Sequence, residues 1–206
     1  MIYKKTFWLW PEMVLVYLII PLIQKFGLID LDPMLVLVGM ALIFAFILWI
    51  DHDFSNHRFY RWSAINWKKH LIVFGGVTVI VSIGVYFIRE QLWLQFPTEN
   101  TRRYLLALLL YPLVSVIPQE IIYRGYFYHR YHKLFKSEWI MILINSFLFG
   151  FTHIIFDNWI APVGAFLISF IFSFTYLKTK SLPIVVLEHY CYGIMIFTVG
   201  LGHYFK

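Results

Sequence analysis

An ionisable pair lies within an apolar part of this chain. Glu120 and Arg124 are four residues apart in the segment QEIIYRG, and Gln119 directly precedes them. On a helix this spacing places the carboxylate and the guanidinium on one face, where they form a local ion pair. Because a charged side chain inside a membrane span is energetically costly, such residues mark candidate functional sites.

Two histidines in later apolar segments could act together with this pair. His153 ends the segment FGFTH, four residues after Phe149. His189 lies in LEHYCYG, with Glu188 before it and Gly193 four residues after it. A histidine and a carboxylate that share a cavity can transfer protons in general acid–base catalysis. A lone intramembrane histidine can also serve only to hydrogen-bond a neighbouring helix.

A count along the chain predicts that these polar groups lie at one depth. Glu120 and His153 are each 16.5 residues from a turn whose tip lies between positions 136 and 137. In antiparallel helices with equal rise per residue, the two side chains are then level, on the order of 10 Å below the cytoplasmic boundary. His189, seven residues into the last apolar run, lies at a comparable depth. Three sets in one layer favour a functional site over isolated interhelical contacts.

The elements that must position these residues are transmembrane helices. The chain is 61% hydrophobic and only 14% charged, whereas soluble domains carry roughly 25% charged residues. Seven apolar runs are long enough to span a bilayer, some with flanking turns: 13–24, 33–50, 71–88, 104–119, 139–152, 158–177 and 182–205. Their length and lack of alternation exclude barrel strands. We therefore expect an all-α integral membrane protein with seven transmembrane helices, or eight if Gly193 breaks the last run.

The domain organisation predicted is a single membrane domain over residues 1–206. The first three spans fall in 1–101, and the polar motifs fall in 102–206. Pro11 and Glu12 interrupt the first run and no small-residue cleavage site follows, so we expect this helix to be retained. Cys191 is the only cysteine, which excludes an internal disulfide and a thiolate metal cluster.

The distribution of positive charge predicts the orientation in the membrane. The net charge of +6 is typical of some nucleic-acid-binding proteins, but here the basic residues cluster in alternate short loops, as membrane topology requires. An N-terminus in the cytoplasm places twelve basic residues on that side: Lys4, Lys5, Arg58, Arg61, Lys68, Lys69, Arg124, Arg130, Lys133, Lys136, Lys178 and Lys180. Five lie on the other side: Lys25, Arg89, Arg102, Arg103 and Lys206. We expect a multi-pass protein of the plasma membrane, with no nucleic-acid partner.

The three polar motifs resemble those of the CPBP family, which includes type II CAAX prenyl proteases and bacteriocin-processing or self-immunity proteins. The family's first motif, Glu-Glu-x-x-x-Arg, is similar to QEIIYRG at 119–125. Its second, Phe-x-x-x-His, matches Phe149 to His153, and its third, His-x-x-x-Asn, is met in part by His189 to Gly193. The resemblance covers the chain from Arg102 onward.

This resemblance implies an intramembrane endopeptidase. The first glutamate of motif one and the histidine of motif two (here His153) would activate water for attack on a peptide carbonyl. The histidine and asparagine of motif three would stabilise the oxyanion, with His189 in the first of these places. A carboxylate in an apolar cavity has its pKa raised toward neutrality, which suits a general base. Glu120 takes the place of the second glutamate, where it would anchor Arg124.

Two departures from the family pattern concern the chemistry itself. Gln119 stands where the first glutamate is expected, and an amide can orient water but cannot accept its proton. Gly193 lacks the amide that would help to hold an oxyanion. Three explanations are open for Gln119: a Glu-to-Gln change introduced to trap a stable form, a natural family member without protease activity, or Glu120 or Glu188 as the base.

A catalytic zinc ion is an alternative for the same residues. Glu120, His153 and His189 would supply the two-histidine, one-carboxylate set of catalytic zinc sites. Arg124 would compete for the carboxylate, so we expect no cofactor, with zinc as the alternative.

The function predicted is cleavage of a membrane-associated peptide or protein substrate. Gln119, Glu120, His153 and His189 are the predicted catalytic residues, and the cavity between spans four, five and seven is expected to open toward the cytoplasm. The alternatives are a non-catalytic scaffold or immunity protein that keeps the cavity for binding, and a transporter, although the two halves of the sequence show no clear internal repeat with broken helices.

Overall fold

The computed structural model describes residues 7–62 and 65–205, and this part of the chain is helical without a strand. Lys4, Lys5 and Lys206, used in the charge count, lie outside the described residues. Seven long helices are present in the described ranges: α1 (9–25), α2 (Pro33–Ile50), α3 (Trp67–Ile88), α4 (Thr101–Arg130), α5 (Glu138–Thr152), α6 (Ile160–Thr179) and α7 (Leu182–Val199).

Six of these helices, α2 to α7, are long and apolar enough to cross a membrane; α5 reaches that length through a 3-10 turn that continues to Phe156. Helix α1 has 17 residues. At 1.5 Å per residue it is about 25 Å long, a little less than the roughly 30 Å of a bilayer core. Six spans are therefore supported by length and composition. Helix α7 continues through Gly193 without a break, so the last run does not divide into two spans.

Helix α4 contains two π-helical turns, Pro112–Val116 and Ile121–Tyr126, on either side of the short α-helical segment Ile117–Glu120. Pro112 and Pro118 lie in and beside these turns, and proline removes a backbone donor from the regular hydrogen-bond ladder. Each π turn adds a residue and rotates the side chains that follow it, and such turns are frequent at functional sites. The polar pair of motif one thus lies on an irregular part of its helix.

Buried polar contacts fix α4 against α5 and α6. Asn145, on α5, is fully buried and donates to the carbonyl oxygen of Tyr123 at 2.9 Å. Ser173, on α6, donates to the Asn145 side-chain oxygen at 3.1 Å. Helices α5 and α6 also approach closely at Gly150, where a Cβ atom would lie 2.7 Å from the carbonyl oxygen of Pro162. These contacts hold the helices of motifs one and two in register.

Helix α1 is attached to the end of α4 by a cluster around Glu12. One carboxylate oxygen accepts from the hydroxyls of Tyr126 and Tyr131 at 2.8 and 3.0 Å, and from Arg130 Nε at 3.0 Å. The other accepts from Arg130 Nη2 at 2.7 Å. Deeper in the bundle, Tyr17 is fully buried and donates to the carbonyl of Ile122 at 2.9 Å. Helix α1 is therefore an integral wall of the bundle.

Candidate active site

The ion pair that the spacing predicts on α4 is present and fully buried. Glu120 and Arg124 are both 0% exposed, and Arg124 Nε lies 3.3 Å from Glu120 Oε2. His189 Nδ1 lies 2.7 Å from the other carboxylate oxygen. Since an ionised carboxylate only accepts hydrogen bonds, this ring nitrogen carries the proton. Glu120 thus links motif one on α4 to motif three on α7.

Arg124 is enclosed by groups that suit a desolvated guanidinium. Its Nη2 donates to Ser169 Oγ at 2.8 Å. Its Cζ lies 4.6 Å from the ring centre of Phe149 and 5.3 Å from that of Phe172, which are cation–π distances. Phe149, the first residue of the second motif, therefore contacts the cation directly, four residues before His153.

His189 is held in one orientation by its neighbours. The ring of Phe172 stacks on it at 4.7 Å with an interplanar angle of 22°, and Phe149 meets it edge-on at 5.7 Å. Because Nδ1 is bonded to Glu120, the ring presents Nε2 to the cavity that His189 lines.

His153 follows the last residue of α5 and begins a 3-10 turn, His153–Phe156. Its Nδ1 lies 2.8 Å from the carbonyl oxygen of Phe149. A carbonyl only accepts, so Nδ1 carries the hydrogen and, in the neutral ring, Nε2 keeps a free lone pair. The side chain is 7% exposed. His153 therefore has a proton acceptor available within an almost buried ring.

Gln119 lies where two cavities meet. Its Nε2 donates to Ser115 Oγ at 2.8 Å, while its buried Oε1 has no hydrogen-bond partner among the described residues. One cavity, of about 420 Å³, lies between α1, α2, α4 and the end of α5. The other, of about 320 Å³, lies between α4, α5, α6 and α7. Both are lined by Ser115, Gln119 and His153.

The predicted catalytic residues are divided between the cavity surface and the protein interior. Gln119, His153 and His189 line the 320 Å³ cavity, and Gly193 and Phe149 line it as well. Glu120 does not line either cavity and is bonded instead to His189, so Glu120 and His153 do not share a cavity. The residue that meets His153 at the cavities is Gln119.

The three side chains considered as zinc ligands are not assembled as a metal site. Among the described residues, no group of three or more His, Cys, Asp or Glu side chains could hold a metal ion. The carboxylate of Glu120 is occupied by Arg124 and His189.

The cavities open at the end of the bundle opposite to the basic loops. The larger one is lined by Gln24, Asp32 and Pro33, around the turn between α1 and α2. The smaller one is lined by Phe156 and Phe205, which also lie at that end. The expected opening toward the side of the basic loops is therefore wrong. His153 lies far from those loops because α5 begins directly after one of them, at Glu138, and His153 follows its last residue.

The sequence reasoning missed two residues of this site, Ser115 and Tyr111. They lie four and eight residues before Gln119 on α4, a spacing that places side chains along one helical face. Tyr111 lines the smaller cavity and fills the space beside Gly193, where a Cβ atom would overlap its ring and hydroxyl. The helical spacing was the signal that could have identified both residues.

Comparison with known proteins supports the motif assignment. Residues 101–195 match the family model described as Type II CAAX prenyl endopeptidase Rce1-like. No curated protein and no solved structure matches the chain. The matched residues contain all three polar motifs, so this match supports the resemblance of this part of the chain to CAAX-type membrane endopeptidases.

Proposed function

We propose that this protein is an intramembrane endopeptidase of CPBP type whose activity is attenuated by the glutamine at position 119. The observation that carries the proposal is that two cavities meet at Gln119 and His153. An endopeptidase must hold its substrate on both sides of the scissile bond. A polar centre with space on each side meets that requirement.

The groups at the centre fit hydrolysis of a peptide bond. The free Oε1 of Gln119 can accept a hydrogen bond from a water molecule, and His153 Nε2 can accept the proton that this water loses on attacking the carbonyl carbon. His153 then gives this proton to the amide nitrogen as the C–N bond breaks and the amine leaves. In its doubly protonated form, His189 donates from Nδ1 to Glu120 and from Nε2 toward the developing oxyanion. Glu120 and Arg124 act as positioning residues, because Glu120 is bonded to His189, Arg124 is paired with Glu120, and neither lines the cavity.

The amide of Gln119 limits the rate in this scheme. A carboxylate at this position would both orient the water and accept its proton, whereas the amide can only orient the water. A positioned general base contributes about 10²- to 10⁴-fold to a rate. We therefore expect slow cleavage, or none within the sensitivity of a standard assay, by the protein as it stands.

The test is the variant Gln119→Glu, purified and placed in liposomes with a panel of membrane-anchored peptides. We expect cleavage by this variant to exceed that of the parent by about 10²- to 10⁴-fold and to be lost again when His153→Ala is added. The variant Gln119→Leu, of similar volume and without polar atoms, is the control for a change in packing alone. Equal rates for the Glu and Leu variants would contradict the role of position 119.

A second function, binding without catalysis, is favoured by the same two departures, Gln119 and Gly193. Both remove the polar groups that the family's motifs would bring to hydrolysis, while leaving the cavities in place. The proposal of a scaffold or immunity protein predicts that Gln119→Glu cleaves nothing and that parent and variant retain a membrane peptide with equal affinity. The liposome assay therefore separates the two functions when cleavage and retention of the peptides are both recorded.

We further propose that the protein resides in the plasma membrane with its basic loops in the cytoplasm. The basic residues of the 51–66 and 131–137 loops and of the turn after α6 support this orientation under the positive-inside rule. The cavities then open toward the extracytoplasmic half of the membrane, and the substrate is a peptide segment that reaches the site from that side.

A further inference from the structure

The family's third motif has an asparagine at the position of Gly193. In this protein a tyrosine from another helix occupies the space where that side chain would lie. Gly193 lies on α7 and Tyr111 on α4, 82 residues earlier in the chain. We propose that the hydroxyl of Tyr111 is the oxyanion donor of this protein and replaces the missing amide at position 193. This inference rests on the proposed peptidase function and adds a catalytic residue to it.

The first support is the position of the hydroxyl. The ring carbon atoms and the hydroxyl oxygen of Tyr111 lie so close to Gly193 that any Cβ atom there would overlap them. The phenolic oxygen thus occupies the space in which the first atoms of an asparagine side chain would lie. No side chain can be added at position 193 unless Tyr111 moves, so the glycine accommodates the tyrosine.

The second support is that the hydroxyl is free to act. Tyr111 OH makes no hydrogen bond to the described residues, although the neighbouring Tyr190 OH is engaged with the carbonyl of Leu108 at 2.9 Å. Tyr111 lines the same cavity as Gln119, His153 and His189. An unpaired donor facing the cavity of the catalytic centre can serve a ligand atom there.

The third support is that the ring is fixed before any substrate arrives. It contacts Phe197 edge-on at 4.8 Å, Tyr190 at 6.4 Å in a near-parallel arrangement, and His189 at 6.2 Å. Donors that are already in place when charge develops stabilise a transition state without the cost of reorganisation. A tyrosine held on three sides meets this condition better than a free amide side chain.

The chemical role involves no covalent step on Tyr111. When the water oxygen bonds to the carbonyl carbon, the carbonyl π electrons move to its oxygen, and the Tyr111 hydroxyl donates a hydrogen bond to that oxygen. The phenol keeps its proton throughout. This donor works whether or not His189 is doubly protonated, so the oxyanion has a partner in either state of the histidine.

The test uses Tyr111→Phe in the Gln119→Glu background, because this change removes one oxygen atom and keeps the ring. Loss of one oxyanion donor lowers kcat by about 10²- to 10³-fold, and we expect KM to stay within about threefold, since the donor acts on the transition state more than on the bound substrate. Tyr190→Phe is the matched control: it removes a neighbouring hydroxyl that is occupied elsewhere, and kcat should stay close to that of the background.

An exchange of the pair gives a second, independent readout. Gly193→Asn alone should lower stability and activity because the new side chain overlaps Tyr111. Tyr111→Ala alone should lower kcat as strongly as Tyr111→Phe. The double variant Tyr111→Ala with Gly193→Asn makes room for an amide at the same place, and its kcat should exceed that of Tyr111→Ala at least about tenfold, as expected for the return of one donor.

The outcomes separate this inference from the function on which it rests. If Gln119→Glu cleaves the peptides and Tyr111→Phe in that background is equally fast, the peptidase stands and the role of Tyr111 is refuted. If Gln119→Glu cleaves none of the peptides, both are refuted. A drop in kcat for Tyr190→Phe equal to that for Tyr111→Phe would also overturn the inference, because the effect would then be one of packing.

Discussion

The change Glu120→Gln tests the buried pair at the centre of the bundle. Glutamine has nearly the shape of glutamate, and its carbonyl oxygen can still accept from His189 Nδ1. What the change removes is the negative charge beside Arg124, whose side chain is completely buried. Ser169 and the faces of Phe149 and Phe172 remain as its partners, and none of them carries a charge.

The expected loss of stability is large. Removing one partner of a buried ion pair costs about 3–5 kcal/mol, because the remaining charge is left uncompensated. For a chain of this size each kcal/mol lowers Tm by about 2–4 °C, so the expected decrease in Tm is about 6–20 °C. Thermal unfolding in detergent, followed by the loss of the monodisperse peak in size-exclusion chromatography, measures this directly.

Two further variants make the measurement decisive. Glu188→Gln changes another largely buried carboxylate, which is bonded to His70 at 2.9 Å and has an 11% exposed side chain. Because no arginine among the described residues pairs with Glu188, we expect this change to lower the free energy of unfolding by only about 1–2 kcal/mol. Adding Arg124→Met to Glu120→Gln removes the uncompensated charge and should recover at least half of the lost stability. The reasoning fails if Glu120→Gln unfolds at the same temperature as the parent, or if the double variant is less stable than the single one.

Two other predictions concern the helix packing and the side on which the cavities open. Gly150→Ala should destabilise the protein by about 1–3 kcal/mol through overpacking, because its Cβ would lie 2.7 Å from the Pro162 carbonyl, whereas Gly164→Ala, with open space around it, should leave Tm unchanged; equal effects would contradict the close approach of α5 and α6. In a Cys191→Ser background, a membrane-impermeant maleimide added to intact cells should label Asp30→Cys, at the end where the cavities open, and should label Lys133→Cys only after lysis. Labelling in the reverse order would refute the proposed orientation.

The sequence was sufficient for the general architecture because its signals there are local. Long apolar runs require helices in a membrane, and α2 to α7 are found where those runs predict them. The pairing of Glu120 with Arg124 was equally accessible, because one helical turn determines it. Each of these inferences needs only the geometry of a single helix.

The arrangement of the site was less predictable because it depends on how irregular helices pack. The count that placed Glu120 and His153 at one depth assumed equal rise and parallel axes, whereas α4 contains π turns around motif one. Adjacent residues on a helix point about 100° apart, so the sequence could not tell whether Gln119 or Glu120 faces the cavity. Only the packing of α4 against α7 decides that Glu120 is the buried one.

The motif itself could not show that Tyr111 occupies the space beside Gly193. A motif read along one helix records the residues of that helix, and the tyrosine comes from α4. The glycine thus looked like a lost function, although the space it vacates is filled by a phenol. For the same reason, the sequence did not predict at which end of the bundle the cavities lie. That end is determined by the position of His153, which follows the last residue of α5.

The Glu12 cluster has a practical consequence for work on this protein. The family match begins at residue 101, which invites expression of a shortened fragment. Such a fragment would lack Glu12, which accepts hydrogen bonds from Arg130, Tyr126 and Tyr131. Its larger cavity would also be open to lipid, since α1 forms one side of that cavity. A minimal version of this molecule must therefore keep its amino-terminal helix, and reporter tags are better fused elsewhere.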